Sequence, residues 1–143
     1  MPNVGRYKFE KLVKYPHLKP EDIFVWERFI DANPKYYDTV EYDVGVSKVE
    51  EATAKANALD ISGAERLYQY KIDAVGYHGD IIDIIELKGI ATAKALGQVE
   101  LYQRIYDRDE NHATKSRKVI IAGSTTPELD FVANTMGILL IVV

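Results

Sequence analysis

The feature that most constrains the fold is a pair of apolar runs, 72–77 and 81–87, separated by His78-Gly79-Asp80. Two short runs rich in Ile and Val on either side of a Gly-Asp pair predict a β-hairpin. If Gly79-Asp80 is a two-residue loop, His78 lies opposite Ile81. That pairing fixes the register of every other residue in the two strands.

This register brings charged side chains together on an apolar sheet. Asp73 lies opposite Glu86, and Lys71 lies opposite Lys88. Directly opposed residues of an antiparallel pair have Cβ atoms about 4.5–5.5 Å apart. Glu86 and Lys88 share one face of their strand because side chains alternate with a period of two. The hairpin is therefore expected to gather two carboxylates and an ammonium group.

Such a cluster has a limited set of chemical explanations. Buried charges must be paired, bound to metal or neutralised by titration, and two adjacent carboxylates repel each other unless a cation lies between them. Mg²⁺ suits the position because it binds one or two carboxylates and keeps several waters. Lys88 could then act on an attacking water or on developing negative charge. The alternative is a structural Asp73–Lys88 salt bridge with Glu86 at its rim.

Asp73, followed after twelve residues by Glu86-Leu87-Lys88, resembles the signature of the PD-(D/E)XK nuclease superfamily. A second motif, from Gln98 to Tyr102, is similar to the QxxxY motif of the RecB-like branch of that superfamily. It lies on the next predicted helix, where positions i and i+4 share a face. The alternative for this pair is an exposed polar residue and an ordinary core aromatic.

The resemblance implies a metal-dependent nuclease that hydrolyses DNA phosphodiester bonds. Asp73, Glu86 and the backbone carbonyl of Leu87 would hold Mg²⁺ or Mn²⁺. Lys88 would serve the water or the transition state, and Gln98 and Tyr102 would position the substrate. The implied fold class is α/β, with a restriction-endonuclease-like αβββαβ core, a mixed central sheet and an additional C-terminal αβ unit.

Three other interpretations stay open at this stage. The fold could serve a DNA-binding or assembly subunit that does not cleave, or a small dimeric Holliday-junction resolvase. An ordinary α/β domain with a structural charge cluster is the third. A nucleotide-binding function has no support, because no Gly-rich phosphate loop follows any predicted strand. The expected partners are DNA and, as an open question, a second copy of the chain.

A first helix is predicted from Pro20 to about Ala32, with proline in its first turn and Asn33-Pro34 at its end. The resemblance implies that this helix supplies an additional acid to the metal, and Glu27 is the candidate. A glutamate paired with Lys or Arg on the flank of the helix is the alternative. The predicted apolar face consists of Ile23, Trp26, Phe29 and Ile30.

The remaining elements follow from periodicity and from turn residues. Glu65 is a reserve candidate for the additional metal ligand. Thr126 and Pro127 open the last helix, and Gly137 ends it. Outside the hairpin, the elements predicted are a strand at 36–46, helices at 48–59 and 92–107, a buried strand at 119–123, a helix at 127–136 and a buried parallel strand at 138–143.

The chain has 143 residues, which is enough for one domain with a single core. The net charge of −4 argues against a nucleic-acid partner, but residues 1–20 carry five basic groups and one acid. We therefore expect a basic N-terminal arm at 1–19, which could bind phosphate, and a nuclease-like domain at 20–143. The alternative for the arm is a solvated segment in which Tyr7, Phe9, Leu12 and Val13 pack on the core.

Composition also limits the cofactors and the compartment. The absence of Cys excludes disulfides, zinc–cysteine sites and iron–sulfur clusters. No signal peptide and no apolar run long enough to span a bilayer are recognisable. A cytoplasmic protein without a membrane partner is the expectation.

Overall fold

The structure, a computed structural model, describes residues 5–48, 68–110 and 116–143. This part of the chain forms an α/β fold with a mixed six-stranded open sheet in the order β1-β2-β3-β4-β5-β6 and three helices. In chain order the elements are β1 (Tyr7–Lys8), α1 (Pro20–Ala32), β2 (Thr39–Lys48), β3 (Tyr68–His78), β4 (Ile81–Ile90), α2 (Ala93–Glu110), β5 (Arg117–Ser124), α3 (Pro127–Thr135) and β6 (Ile138–Val142).

Helix α1 covers one face of the sheet and has the bounds predicted from the sequence. It buries Val25, Trp26, Phe29 and Ile30, while Ile23 is only partly buried. The Trp26 indole donates a hydrogen bond to the Tyr42 hydroxyl at 2.9 Å, which satisfies both polar groups within the core. This face therefore has a rigid aromatic layer.

Part of the N-terminal segment that was predicted as a basic arm belongs to this layer. Strand β1 pairs antiparallel with β2, and Phe9 and Tyr15 are buried in the α1 cluster. Tyr7 and Leu12 pack against that cluster, as the alternative for the arm predicted. Val13 does not, because its side chain is fully exposed.

Helix α2 packs against the opposite face. It buries Ala95, Leu96 and Val99 in a second cluster with Ile84, whereas the next residue of β4, Ile85, belongs to the α1 cluster. This alternation follows from the period of two in a strand. Glu86 consequently projects toward the α2 side of β4 and Leu87 toward the α1 side.

The hairpin forms as predicted near its turn and separates farther along. His78 pairs with Ile81, Gly79 has a φ of 58°, and the β3–β4 ladder runs to Ala74 and Ile85. A glycine with positive φ at the first loop position is typical of a two-residue hairpin turn.

Beyond that ladder the two strands diverge. The predicted Lys71–Lys88 pairing does not form, because the β3–β4 register ends at Ala74 and Ile85. On their outer sides, Lys71 pairs with Gly45 of β2 and Lys88 pairs with Ala122 of β5. The Leu87 backbone N–H donates a hydrogen bond of 2.9 Å to the Asp73 carboxylate, whereas in a regular ladder it would donate to a backbone carbonyl. The hairpin therefore opens into a fork, and Asp73 and Glu86 lie where it opens.

The C-terminal αβ unit is present, with parallel pairing of β4, β5 and β6. Thr126 caps α3 by accepting the Leu129 N–H, and Gly137 follows it with a φ of 71°. The prediction of a buried final strand is wrong, since β6 is an edge strand in which Leu139 and Val142 are exposed.

Part of the sequence-based prediction lies outside the described residues. This applies to Glu65 and to the helix predicted at 48–59, apart from Lys48, which ends β2. Among the described residues, none of the helices has the length and apolarity needed to cross a membrane.

Candidate active site

The fork between β3 and β4 brings together the three residues of the first motif. The Asp73 and Glu86 carboxyl groups lie within hydrogen-bonding reach of each other, and the nearby Lys88 ammonium acts electrostatically on both. No ion pair joins Lys88 to either acid among the described residues. The arrangement is thus an acid pair with an adjacent cation, and it differs from the predicted structural salt bridge.

Burial changes the protonation of the acid pair. Burial and the charge of Asp73 raise the pKa of Glu86 well above its usual range, although Lys88 opposes the shift. Burial also raises the pKa of Asp73, against the lowering effects of the Leu87 N–H and of Lys88. Two carboxylates in contact cannot both ionise cheaply in a low-dielectric site. Without a cation, the pair is therefore expected to keep one proton.

The fork contains buried side-chain oxygens that have no hydrogen-bond partner among the described residues. Three buried side-chain atoms in the described part have no hydrogen-bond partner, and two of them are Glu86 Oε1 and Gln98 Oε1. Buried polar atoms in folded proteins nearly always have partners, so each exception needs an explanation. Both orphan atoms are acceptors, which a cation or a donor on a ligand would satisfy.

A neighbouring buried acid shows the structural alternative. Asp83 is 0% exposed and receives two hydrogen bonds from Arg117, at 2.6 and 2.8 Å, and one from the Tyr37 hydroxyl at 2.8 Å. Its charge is fully compensated within the protein. Glu86 is only 2% exposed and lies three residues farther along the same strand. It receives a hydrogen bond from the Asp73 backbone N–H but forms no ion pair within the part of the chain that the structure describes.

The second motif lies beside the first. Gln98 and Tyr102 hydrogen-bond each other on α2, and burial together with the Glu86 charge raises the pKa of Tyr102. The Tyr102 ring also contacts Tyr70 of β3, with ring centroids 5.6 Å apart. Gln98 and Tyr102 are half-buried, and the charges of Glu86 and Asp73 both act on Tyr102, which puts this pair on the α2 side of the fork.

The acid that α1 brings to the site is Asp22 rather than Glu27. Burial and the charge of Asp73 raise the pKa of Asp22 to about 6, and Lys88 partly offsets the shift. Glu27 instead accepts a hydrogen bond from the Tyr15 hydroxyl at 2.7 Å and so anchors the N-terminal segment. Asp22 falls on the same helical stripe as Trp26 and Phe29, and an acid inside an apolar stripe is the sequence signal that identifies it.

The α1 N-terminus also brings a second cation. Lys19 precedes the helix, and its charge acts on both Asp22 and Asp73. Together, Lys19 and Lys88 place two ammonium groups near the acids. Such cations favour a ligand that carries negative charge, and phosphate is the common example.

The donor set for a metal is small. No cluster of three or more His, Asp or Glu side chains suited to a metal ion occurs in residues 5–48, 68–110 and 116–143. An ion at the fork would rely on the Asp73 and Glu86 carboxylates, a backbone carbonyl and water. Mg²⁺ is commonly bound in this way, through one or two carboxylates with several retained waters. The acid pair and the orphan Glu86 oxygen fit that ion.

Comparison of the chain with protein-family models, with curated proteins and with solved structures finds no match. Functional inference therefore depends on the geometry of the fork and on the two motifs.

Proposed function

We propose that this protein is a metal-dependent nuclease that hydrolyses DNA phosphodiester bonds. The observation that carries the proposal is the buried Asp73–Glu86 pair, which has an orphan oxygen and the Lys88 ammonium beside it. A purely structural cluster would compensate its charges internally, as Asp83 and Arg117 do. An acid pair that is compensated only in part suits a divalent cation that arrives with substrate.

Asp73, Glu86 and the Leu87 carbonyl would hold Mg²⁺ or Mn²⁺, and Asp22, on which the Asp73 charge acts, would contribute through a bound water. When bound, such an ion supplies Lewis acidity toward a phosphoryl oxygen and lowers the pKa of a coordinated water. The ion would also remove the repulsion between the two carboxylates. Both acids would then be ionised at neutral pH.

The remaining side chains have distinct roles in this proposal. Lys88 would stabilise the negative charge that develops on the phosphate in the transition state, where preorganised cations are most effective. Lys19 would attract the DNA backbone. Gln98 would donate or accept a hydrogen bond with the substrate, and Tyr102 would hold the Gln98 amide in place.

The order of elements supports the same proposal. Among the described elements, α1, β2, β3, β4, α2 and β5 occur in the order αβββαβ, with the acid pair on the second and third of the three antiparallel strands. This is the arrangement that the resemblance to the PD-(D/E)XK superfamily implies. The β5–α3–β6 unit then extends the sheet.

The test is a cleavage assay with single-stranded, duplex and four-way-junction DNA. We expect cleavage with Mg²⁺ or Mn²⁺ and none with chelator. Lys88→Ala should lower turnover by at least about 100-fold, since it removes stabilisation made only in the transition state. It should change DNA affinity little, because contacts to other phosphates supply most of it. Lys94→Ala, a lysine exposed at the start of α2, is the matched control.

The panel also separates the rival functions. A wild-type protein that binds DNA and never cleaves it with either metal would overturn the nuclease proposal in favour of a binding or assembly subunit. Symmetric cleavage confined to the four-way junction would identify a junction resolvase. Cleavage that Lys88→Ala leaves unchanged would show that the activity does not belong to this site.

A further inference from the structure

The two edges of the sheet differ in their protection. The β1 edge has two residues and is flanked by the exposed charges of Arg6 and Lys8. The β6 edge has five residues, Ile-Leu-Leu-Ile-Val, and no ionisable side chain occurs from Gly137 to Val143. Edge strands that stay unpaired usually carry charges, prolines or bulges, which prevent another strand from pairing with them. β6 has none of these devices.

Exposed apolar side chains concentrate near the same edge. Of the ten exposed large hydrophobic residues in the described part, four lie within the last thirteen residues. Leu139 is 43% exposed and Val142 is 51% exposed, on opposite faces of β6. Phe131 and Val132 of the preceding helix are 69% and 40% exposed. Exposed apolar side chains at this density beside an unpaired strand edge are typical of an interaction surface.

We propose that β6 pairs antiparallel with β6 of a second copy of the chain, around a two-fold axis at Leu140. In this register Leu139 of one copy lies opposite Ile141 of the other, and Ile138 lies opposite Val142. Every opposed pair is apolar, because the strand is uncharged along its whole length. The backbone groups of the free edge gain partners in the same step.

A second copy of the chain is the partner that best matches an uncharged, apolar strand edge. A two-fold interface must be self-complementary, and an uncharged apolar strand of odd length meets that condition without like-charge contacts. The pairing covers Leu139 on the α1 face and Val142 on the α3 face at the same time. The inference is independent of the nuclease proposal, since it uses no residue of the fork.

Single cysteines test the register directly, because the chain has no Cys of its own. Opposed residues have Cβ atoms about 4.5–5.5 Å apart, close to the disulfide range, whereas diagonal neighbours are about 7–8 Å apart. We expect Leu140→Cys to cross-link with itself under mild oxidation. Leu139→Cys and Ile141→Cys should fail to cross-link alone and should cross-link when the two variants are mixed.

Sedimentation of the wild type should show a dimer, and Val142→Lys should weaken dimerisation at least about tenfold, which is roughly 1.4 kcal/mol. Val13→Lys, a change at a fully exposed hydrophobic residue elsewhere, is the matched control and should leave the dimer intact. If Leu140→Cys fails to fold, the mixed Leu139 and Ile141 variants still report the register. A monomeric wild type, a dimer insensitive to Val142→Lys, or self-linking of Leu139→Cys would overturn the proposal.

Discussion

At the scale of single residues, the two buried acids of β4 differ in how their charge is compensated. Asp83 forms an ion pair with Arg117 at 2.6 Å, whereas Glu86 lies beside Asp73 and has an oxygen without a hydrogen-bond partner among the described residues. Burying an uncompensated carboxylate costs free energy, and protonation is the usual way to reduce that cost. In the metal-free protein, Glu86 should therefore oppose folding once it is forced to ionise.

This leads to a prediction for Glu86→Gln. The folded-state pKa of Glu86 lies above its usual value of 4.5, so the wild type loses stability as pH rises from that value through the raised pKa. Gln cannot ionise and should avoid this loss. With chelator present, the variant should match the wild type at about pH 4 and melt roughly 2–5 °C higher at about pH 8. Calorimetry at both pH values measures the difference.

Glu100→Gln is the matched control for this prediction, because its pKa shift has the opposite sign. Lys118 and Arg104 lower the pKa of Glu100, so its contribution is present above the usual value and is lost as pH falls. This variant should be slightly destabilised at high pH, by up to about 1 kcal/mol, since the group is partly exposed. If Glu86→Gln and Glu100→Gln were stabilised equally at high pH, the cost of ionising a buried carboxylate would not be specific to Glu86, and the prediction would be contradicted.

The sequence predicted part of the site at this scale. Asp73 and Glu86 were expected together because a two-residue turn fixes the hairpin register, and the structure has that turn. Asp22 was missed because acids in the first turn of a helix are common and interact favourably with its dipole. Only the packing of α1 against β4 shows that partly buried Asp22 lies within electrostatic range of Asp73.

At the scale of elements, α1 carries two acids with different functions. Asp22 lies at the fork, and Glu27 holds Tyr15 of the N-terminal segment. We predict that Asp22→Asn lowers metal affinity or cleavage on the order of 10- to 100-fold, as loss of an outer-shell group does. Glu27→Gln should leave cleavage unchanged and cost about 1 kcal/mol of stability through the weaker Tyr15 hydrogen bond.

The two variants are compared on one cleavage assay and one thermal melt. Because both replace an acid by its amide on the same helix, a general effect of charge loss would act on both alike. A larger loss of cleavage in Glu27→Gln than in Asp22→Asn would reverse the assignment. The role given to Glu27 by the resemblance would then be restored.

Local sequence patterns predicted most elements and missed what depends on neighbours. Pro20 and Asn33-Pro34 fixed both ends of α1, and Gly79 fixed the hairpin turn, because these residues restrict the backbone directly. The burial of β6 was predicted wrongly, because an apolar strand has the same sequence pattern whether it lies inside a sheet or at its edge. Nothing in the sequence of β3 shows that it separates from β4 beyond Ala74.

At the scale of the whole molecule, the fork lies where the ladder between β3 and β4 ends while the outer ladders continue. β3 stays paired with β2, and β4 stays paired in parallel with β5, on either side of Asp73 and Glu86. α1 closes one side with Asp22, and α2 closes the other with Gln98. The divergence frees the backbone and carboxylate oxygens that a divalent ion requires.

Titration with Mn²⁺ tests the central claim most directly, because that claim is that the fork holds a divalent ion. Calorimetry should show one site in the wild type and in Glu100→Gln. Binding should be lost in Asp73→Asn and in Glu86→Gln, since each removes a charged ligand of a site with only two carboxylates. Absence of Mn²⁺ binding in the wild type, or binding that both fork variants retain unchanged, would contradict the account.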